Sequence, residues 1–222
     1  MMRLFFAAGT IVQKLEVQHS NMTILDIPSR PVILASGSPR RKELLEQMEF
    51  SFKVITGSDI DETSFISSER LESSLEELAL AKGRGVADIY PKELVLSADT
   101  VVVQDNHILG KPVDRSDAAR MLQSLSGNRH SVITAVALSC SGESFFRSTT
   151  ARTYVYFRKL SDEEINRYLD SNEAYDKAGA YGIQGKAMIF VDKIEGCFYN
   201  VVGLPVSSTI DLFKAFEARK ES

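Results

Sequence analysis

The stretch Ile33 to Met48, ILASGSPRRKELLEQM, constrains the chain more than any other, because it prescribes a strand, a turn and a helix in one short run. Ile33, Leu34 and Ala35 read as the end of a buried strand, and Leu44, Leu45 and Met48 recur as the core face of a helix. Between them, Gly37 permits a turn that most side chains forbid, Ser38 is placed to cap the helix, and Pro39 suits its first position, where the N–H is unpaired anyway. The first helical turn then gathers unpaired N–H groups, the positive end of a helix dipole, the hydroxyls of Ser36 and Ser38, and the guanidinium groups of Arg40 and Arg41. That combination suits a polyphosphate. Taken alone, adjacent arginines fit a solvated helix face equally well. No Gly-Lys-Ser/Thr follows Gly37, which excludes a Walker-type phosphate loop.

The 222 residues contain no long linker, and the pattern predicts one domain over residues 31–219 behind an extension, residues 1–30, expected to be poorly ordered. MMRLFFAAGTIVQKL faintly resembles a targeting signal, but its apolar stretch is short and interrupted, and Met22 offers an alternative start; cytoplasmic residence is expected. Hydrophobic residues at 44% and charged residues at 25% exclude a disordered or low-complexity chain. A net charge of −4 argues against a protein that coats nucleic acid, while leaving room for a local basic pocket. No apolar run approaches the roughly 20 residues of a membrane helix, so no membrane partner is expected. Cys140 and Cys197 make no disulfide framework and point to a reducing compartment, and the scattered His19, His107 and His130 make no His-based metal set.

Along the chain, Phe50 to Ile55 alternates as a half-buried strand, and the polar segment Thr56 to Thr63 carries Asp59, Asp61 and Glu62. Ser73 to Ile89 has helical spacing, with Lys82 beside its apolar face and Gly83 and Gly85 weakening it. Leu94 to Val103, LVLSADTVVV, is a buried-type strand interrupted by Asp99 and followed on by Thr100. A buried carboxylate without a partner costs several kcal/mol, so Asp99 must be paired, neutralised or bound to a cation. A metal ligand, a general base and a purely structural aspartate all satisfy that requirement. Gln104 to His107 reads as a hairpin turn, and Gly110 and Pro112 fix the backbone around Lys111. Asp114 to Leu125 is a helix ending at Gly127; His130 to Cys140 and Arg152 to Phe157 are strands; Ser161 and Glu164 form a capping box for a helix through Leu169. Tyr175 to Gly185, YDKAGAYGIQG, is a glycine-rich loop that lets backbone approach a ligand, and its Gln184 can read a base edge. The pattern then predicts a hairpin of Ala187 to Val191 with Phe198 to Val202, and a final helix from Ser207 to Arg219.

In this order, ILASGSPRRKELLEQM, the lysine-bearing helix, SADTVVV, ILGKPVD, LSGNRHSVITAVAL, YDKAGAYGIQG and YNVVGLPV resemble the Maf family of nucleoside triphosphate pyrophosphatases, over about residues 31 to 216. The resemblance implies an α/β fold similar to that of inosine triphosphate pyrophosphatase: an elongated mixed sheet flanked by helices, with two lobes and a central cleft. It implies hydrolysis of a nucleoside triphosphate to the monophosphate and pyrophosphate with a divalent cation, Mg²⁺ or Mn²⁺. The DKAGAYGIQG segment is similar to the branch acting on dTTP and UTP. Asp99 matches the catalytic base; Arg40, Thr100 and Gln184 match positions of substrate selection; Ser36, Arg41, Glu62, Lys82 and Lys111 match other cleft residues, with Asp99 and Glu62 as metal ligands. Asp61 or Asp59 could stand in for Glu62 after a small shift in alignment. The resemblance also implies a homodimer. A rival implication is a nucleotide-binding regulator of septum formation without turnover.

Overall fold

The computed structural model describes residues 31–56 and 60–219. The expected extension over residues 1–30, and Asp59 as a stand-in for Glu62, lie outside the described residues. Seven strands form one mixed sheet: β1 (Val32–Leu34), β2 (Phe52–Val54), β3 (Leu94–Gln104), β4 (His107–Leu109), β5 (Arg129–Cys140), β6 (Phe145–Phe157) and β7 (Val191–Glu195). Their order is β2-β1-β3-β5-β6-β7, with β4 beside the far end of β3. β1 runs parallel to both neighbours, and the remaining pairs are antiparallel.

Helices cover both faces, as a sheet buried on two sides requires. The helix α1 (Pro39–Gln47) follows β1, and α2 (Leu71–Ala87) lies against the central strands. Leu75 and Ala79 of α2 pack with Val101, Ile133, Ala135 and Ala137, while Val86 and Ala87 meet Ile33, Ala35 and Val95. The opposite face carries α3 (Arg115–Leu125), α4 (Asp162–Leu169), a short α5 (Phe198–Val202) and α6 (Val206–Ala218) over Leu94, Leu96, Val132, Val136 and Leu138. Asp114 caps α3 through Asp117 N–H at 2.8 Å, and the Ser161/Glu164 capping box opens α4 as expected.

The register of the sheet creates an opening. β1 pairs with β3 only as far as Leu34 opposite Leu96, and β4 begins only at Leu109 opposite Val102. Between those pairs, one edge of β3 from Ser97 to Val101 has no neighbouring strand among the described residues, so the strand backbone and side chains from both its faces reach a common gap. The gap sits at the carboxyl end of a parallel strand pair, where α/β sheets present ligand sites.

Several local expectations need correction. Phe198–Val202 is the helix α5, and Lys186–Phe190 is a 3₁₀ turn leading into β7, so no hairpin joins Ala187–Val191 to Phe198–Val202. The β-branched valines suggest a strand, but tertiary contacts decide: Asn200 is fully buried and donates to Val132 O at 3.0 Å and to Thr153 Oγ1 at 2.9 Å. Gly203, at φ +116°, closes α5 in the left-handed conformation that marks a helix end. Ser38 occupies the N-cap of α1 yet makes no side-chain cap; its N–H donates to Ser36 Oγ at 3.3 Å. Gly37 is not among the residues with positive φ, so its turn is open to other side chains. The helix expected from Ser73 to Ile89 spans Leu71–Ala87, and Ile89 is 71% exposed beyond its end. β6 is longer than expected, starting at Phe145. Gly83 does more than weaken α2: a Cβ there would stand 2.6 Å from Ser97 Oγ and 3.0 Å from Ser139 Oγ, so the missing side chain sets how closely α2 approaches the sheet.

Candidate active site

A cleft of about 1010 Å³ opens at the gap beside β3. The residues matched by the resemblance line it: Ser36, Arg40 and Arg41 from the β1–α1 turn, Glu62 from a 3₁₀ turn, Lys82 from α2, Asp99 and Thr100 from β3, Lys111 after β4, and Gln184 from the glycine-rich loop; Asp61, a stand-in for Glu62, does not. Five cationic side chains (Arg40, Arg41, Lys82, Lys111, Lys177) face three carboxylates (Glu62, Asp99, Asp176). The lining is thus locally basic in a chain of net charge −4, and favours a multiply charged anion.

Asp99 and Thr100 are consecutive on a strand and so point to opposite faces of the sheet. On the α2 side, the Lys82 ammonium bridges the two carboxylates expected at the metal, reaching Glu62 Oε1 at 2.7 Å and making a direct ion pair with Asp99 Oδ1. Asp99 is therefore neither orphaned nor paired with an arginine. On the other side, Arg41 donates from Nε to Gly203 O at 2.8 Å, from Nη1 to Ser36 Oγ at 2.8 Å and from Nη2 to Thr100 Oγ1 at 3.1 Å. Burial pulls the Arg41 guanidinium below its ordinary value; Asp99 and Glu62 act against that, while Arg40 adds to it. Arg41 is thus a brace between β1, β3 and the end of α5, with its remaining N–H groups left for a ligand.

Arg40 Nη1 lies 3.5 Å from Asp176 Oδ2, and Asp176 Oδ1 accepts from Lys177 Nζ at 2.5 Å. Although partial burial acts to raise Asp176, the Lys177 hydrogen bond and the charges of Lys177 and Arg40 hold its carboxyl below the ordinary value. Lys177 Nζ also donates to Glu173 O at 2.6 Å, and its stem lies where a Cβ on Gly182 would stand, 2.7 Å from Cε. Local sequence pattern assigns no role to Asp176 or Lys177. Their place in a loop dense in glycine is the one signal that could have found them.

The loop itself is anchored at three points. Gly179 N–H donates to Gly110 O at 3.0 Å, coupling the loop that carries Gln184 to the turn that carries Lys111. Gly179 (φ +69°) and Ala180 (φ 62°) are both left-handed, with Gly179 pressed on Val102, where a Cβ would meet both methyls at 3.1 Å. Tyr181, fully buried, hydrogen-bonds His130 Nε2 at 2.8 Å and stacks edge-on against His130 and Phe157. Burial lowers His130 to about 4 and raises the Tyr181 hydroxyl. Gln184 is left exposed in the cleft wall.

The architecture and the cleft define a mixed α/β protein whose sheet is broken open around a basic, carboxylate-bearing site. The sequence model of the Maf-like proteins matches residues 31–216, and the chain belongs to that family. A dTTP/UTP pyrophosphatase from Geobacillus sp. (strain WCH70) is 49% identical over 182 residues, covering 82% of this chain and 95% of the relative. A protein of the same name from Ruminiclostridium cellulolyticum is 46% identical over 178 residues, covering 80% of this chain and 92% of its own. A third, from Acetivibrio thermocellus, is 47% identical over 196 residues, covering 83% and 94%. Among solved structures, a HAM1 protein from Coxiella burnetii aligns with a TM-score of 0.48 at 15% identity, covering 83% of this chain and 98% of that one.

Proposed function

We propose that this chain hydrolyses pyrimidine nucleoside triphosphates, UTP and dTTP, to the monophosphate and pyrophosphate. The observation that carries this reading is the placement of Asp99 at the unpaired edge of β3, in one cleft with Arg40, Lys82, Lys111 and Gln184. Nearly half-identical relatives named for this activity over most of the chain support it. Arg40, Lys82 and Lys111 hold the triphosphate, joined by the free N–H groups of Arg41, and fixed positive charge stabilises the pyrophosphate leaving group. Ser36 fixes Arg41, and Gln184 and Thr100 face the base. Asp99 orients and deprotonates the attacking water, which displaces pyrophosphate at the α-phosphorus.

The donor set fits Mg²⁺ or Mn²⁺. Two hard carboxylates, Glu62 and Asp99, converge on one point now neutralised by Lys82, and no group of three or more His, Cys, Asp or Glu side chains forms a complete cage among the described residues. A cation completed by substrate phosphates and water needs only such a pair. Glu62 and Asp99 would hold it, and it would supply Lewis-acid charge at the phosphate and a more acidic bound water. The presence of Asp99, Lys82 and Lys111 together in one cleft speaks against a regulator without turnover. No helix among the described residues is long and apolar enough to cross a membrane. The family resemblance supports a homodimer, the low cysteine count, Cys140 and Cys197 alone, supports a reducing, cytoplasmic compartment, and the net charge of −4 argues against a nucleic-acid partner; light scattering that finds only monomer would overturn the dimer.

Incubation of the protein and Mg²⁺ with UTP and dTTP, followed by product analysis, tests the reading. The expected products are monophosphate and pyrophosphate, abolished by a chelator. Diphosphate and phosphate, or no cleavage, would contradict it.

A further inference from the structure

Thr134 of β5 and Asn200 of α5 lie beneath the cleft, both fully buried, and neither lines it. They are joined to Thr100 in a short chain of oxygens: Thr100 Oγ1 is 2.9 Å from Thr134 Oγ1, and Thr134 Oγ1 is 3.0 Å from Asn200 O. A carbonyl only accepts, so the single proton of Thr134 goes to Asn200 O. The opposite orientation would leave two oxygen lone pairs facing each other in a buried site. With its proton spent, Thr134 can only accept from Thr100. Arg41 Nη2 meanwhile donates to Thr100 Oγ1 at 3.1 Å. The hydroxyl of Thr100 therefore points its proton into the protein and shows the cleft a lone pair.

We infer that Thr134 and Asn200 are positioning residues that fix Thr100 as a hydrogen-bond acceptor toward the base, and so select a pyrimidine ring carrying a proton on N3 over one with a bare N3. This rests on the pyrimidine reading proposed above. Uracil and thymine present N3–H to an acceptor. Cytosine, of the same size, presents a lone pair, and two acceptors then meet in a desolvated wall. Asn200 is itself held from three directions, since its side chain donates to Val132 O and Thr153 Oγ1, and Gly203 N–H donates to its carbonyl at 3.0 Å.

The test is the ratio of kcat/KM for UTP to that for CTP in the wild type, Thr134→Val and Thr134→Ser. Valine keeps the volume but frees the Thr100 hydroxyl to turn its proton to the cleft. The ratio is expected to favour UTP in the wild type, to fall roughly tenfold or more in T134V, and to return in T134S. Thr134→Ala serves in place of T134V if that variant does not fold. Thr100→Val is expected to lower the ratio as well, and T100V combined with T134V to lower it no further than T100V alone. An unchanged ratio in T134V, additive losses in the double variant, or a wild type that cleaves UTP and CTP alike would overturn the inference and leave the pyrophosphatase reading intact. A wild type that cleaves no triphosphate would instead bring down that reading.

Discussion

Lys82 of α2 and Asp99 of β3 form a direct ion pair in the cleft, with side chains 19% and 15% exposed. The pair ties the packing of α2 on the sheet to the chemistry proposed for the β3 edge. Lys82→Met would leave Asp99 largely buried without its cation. Its expected cost is about 2 kcal/mol, below the usual range for a broken buried pair because both groups retain some exposure. Turnover is expected to fall more than about 100-fold. Asp99→Asn, in contrast, leaves Lys82 with Glu62 at 2.7 Å, so its stability should stay near that of the wild type. Urea unfolding of the two variants checks this, and a Lys82→Met protein as stable as the wild type would break the link.

Gly83→Ala tests how closely α2 must approach. In a solvent-exposed helix the change would stabilise by about 1 kcal/mol. Here the added Cβ meets Ser97 Oγ at 2.6 Å and Ser139 Oγ at 3.0 Å, and Ser97 is itself committed to Ala79 O. A net loss of about 1–3 kcal/mol is expected, with reduced kcat because the adjacent Lys82 moves with the helix. Thermal melting and UTP turnover measure both, and a stabilised, fully active variant would contradict so close an approach.

His130 makes stability depend on acid. Burial lowers it from 6.5 to about 4, so between those values the unfolded chain binds a proton that the folded chain refuses. Stability from this group is fully present above pH 6.5 and is lost as pH falls toward 4, by about 2 kcal/mol between pH 7 and pH 5. Because His130 anchors Tyr181, the loss loosens the loop that carries Gln184. Urea midpoints across that window should shift less in His130→Gln than in the wild type. Equal shifts would show that other groups set the acid response.

The strand, turn and helix of residues 32–47, the Asp99 strand and the capping box of α4 were legible because each depends on local pattern and local hydrogen bonds. The proposed site residues were matched through the family resemblance, and the sheet gap brings them to one cleft. What pattern could not show is long-range. Phe198–Val202 became a helix because Asn200 finds buried partners on β5 and β6. Arg41 became a brace because two of its three partners, Gly203 and Thr100, lie 162 and 59 residues away. The donor order through Thr100, Thr134 and Asn200 exists only once three elements meet.

The most direct test of the central claim is hydrolysis of UTP in water of heavy oxygen, with wild type and Asp99→Asn side by side. The wild type is expected to place the label in UMP, with none in pyrophosphate, and Asp99→Asn to bind UTP without turning it over. Label in pyrophosphate, or a wild-type rate in Asp99→Asn, would contradict attack at the α-phosphorus under the control of Asp99.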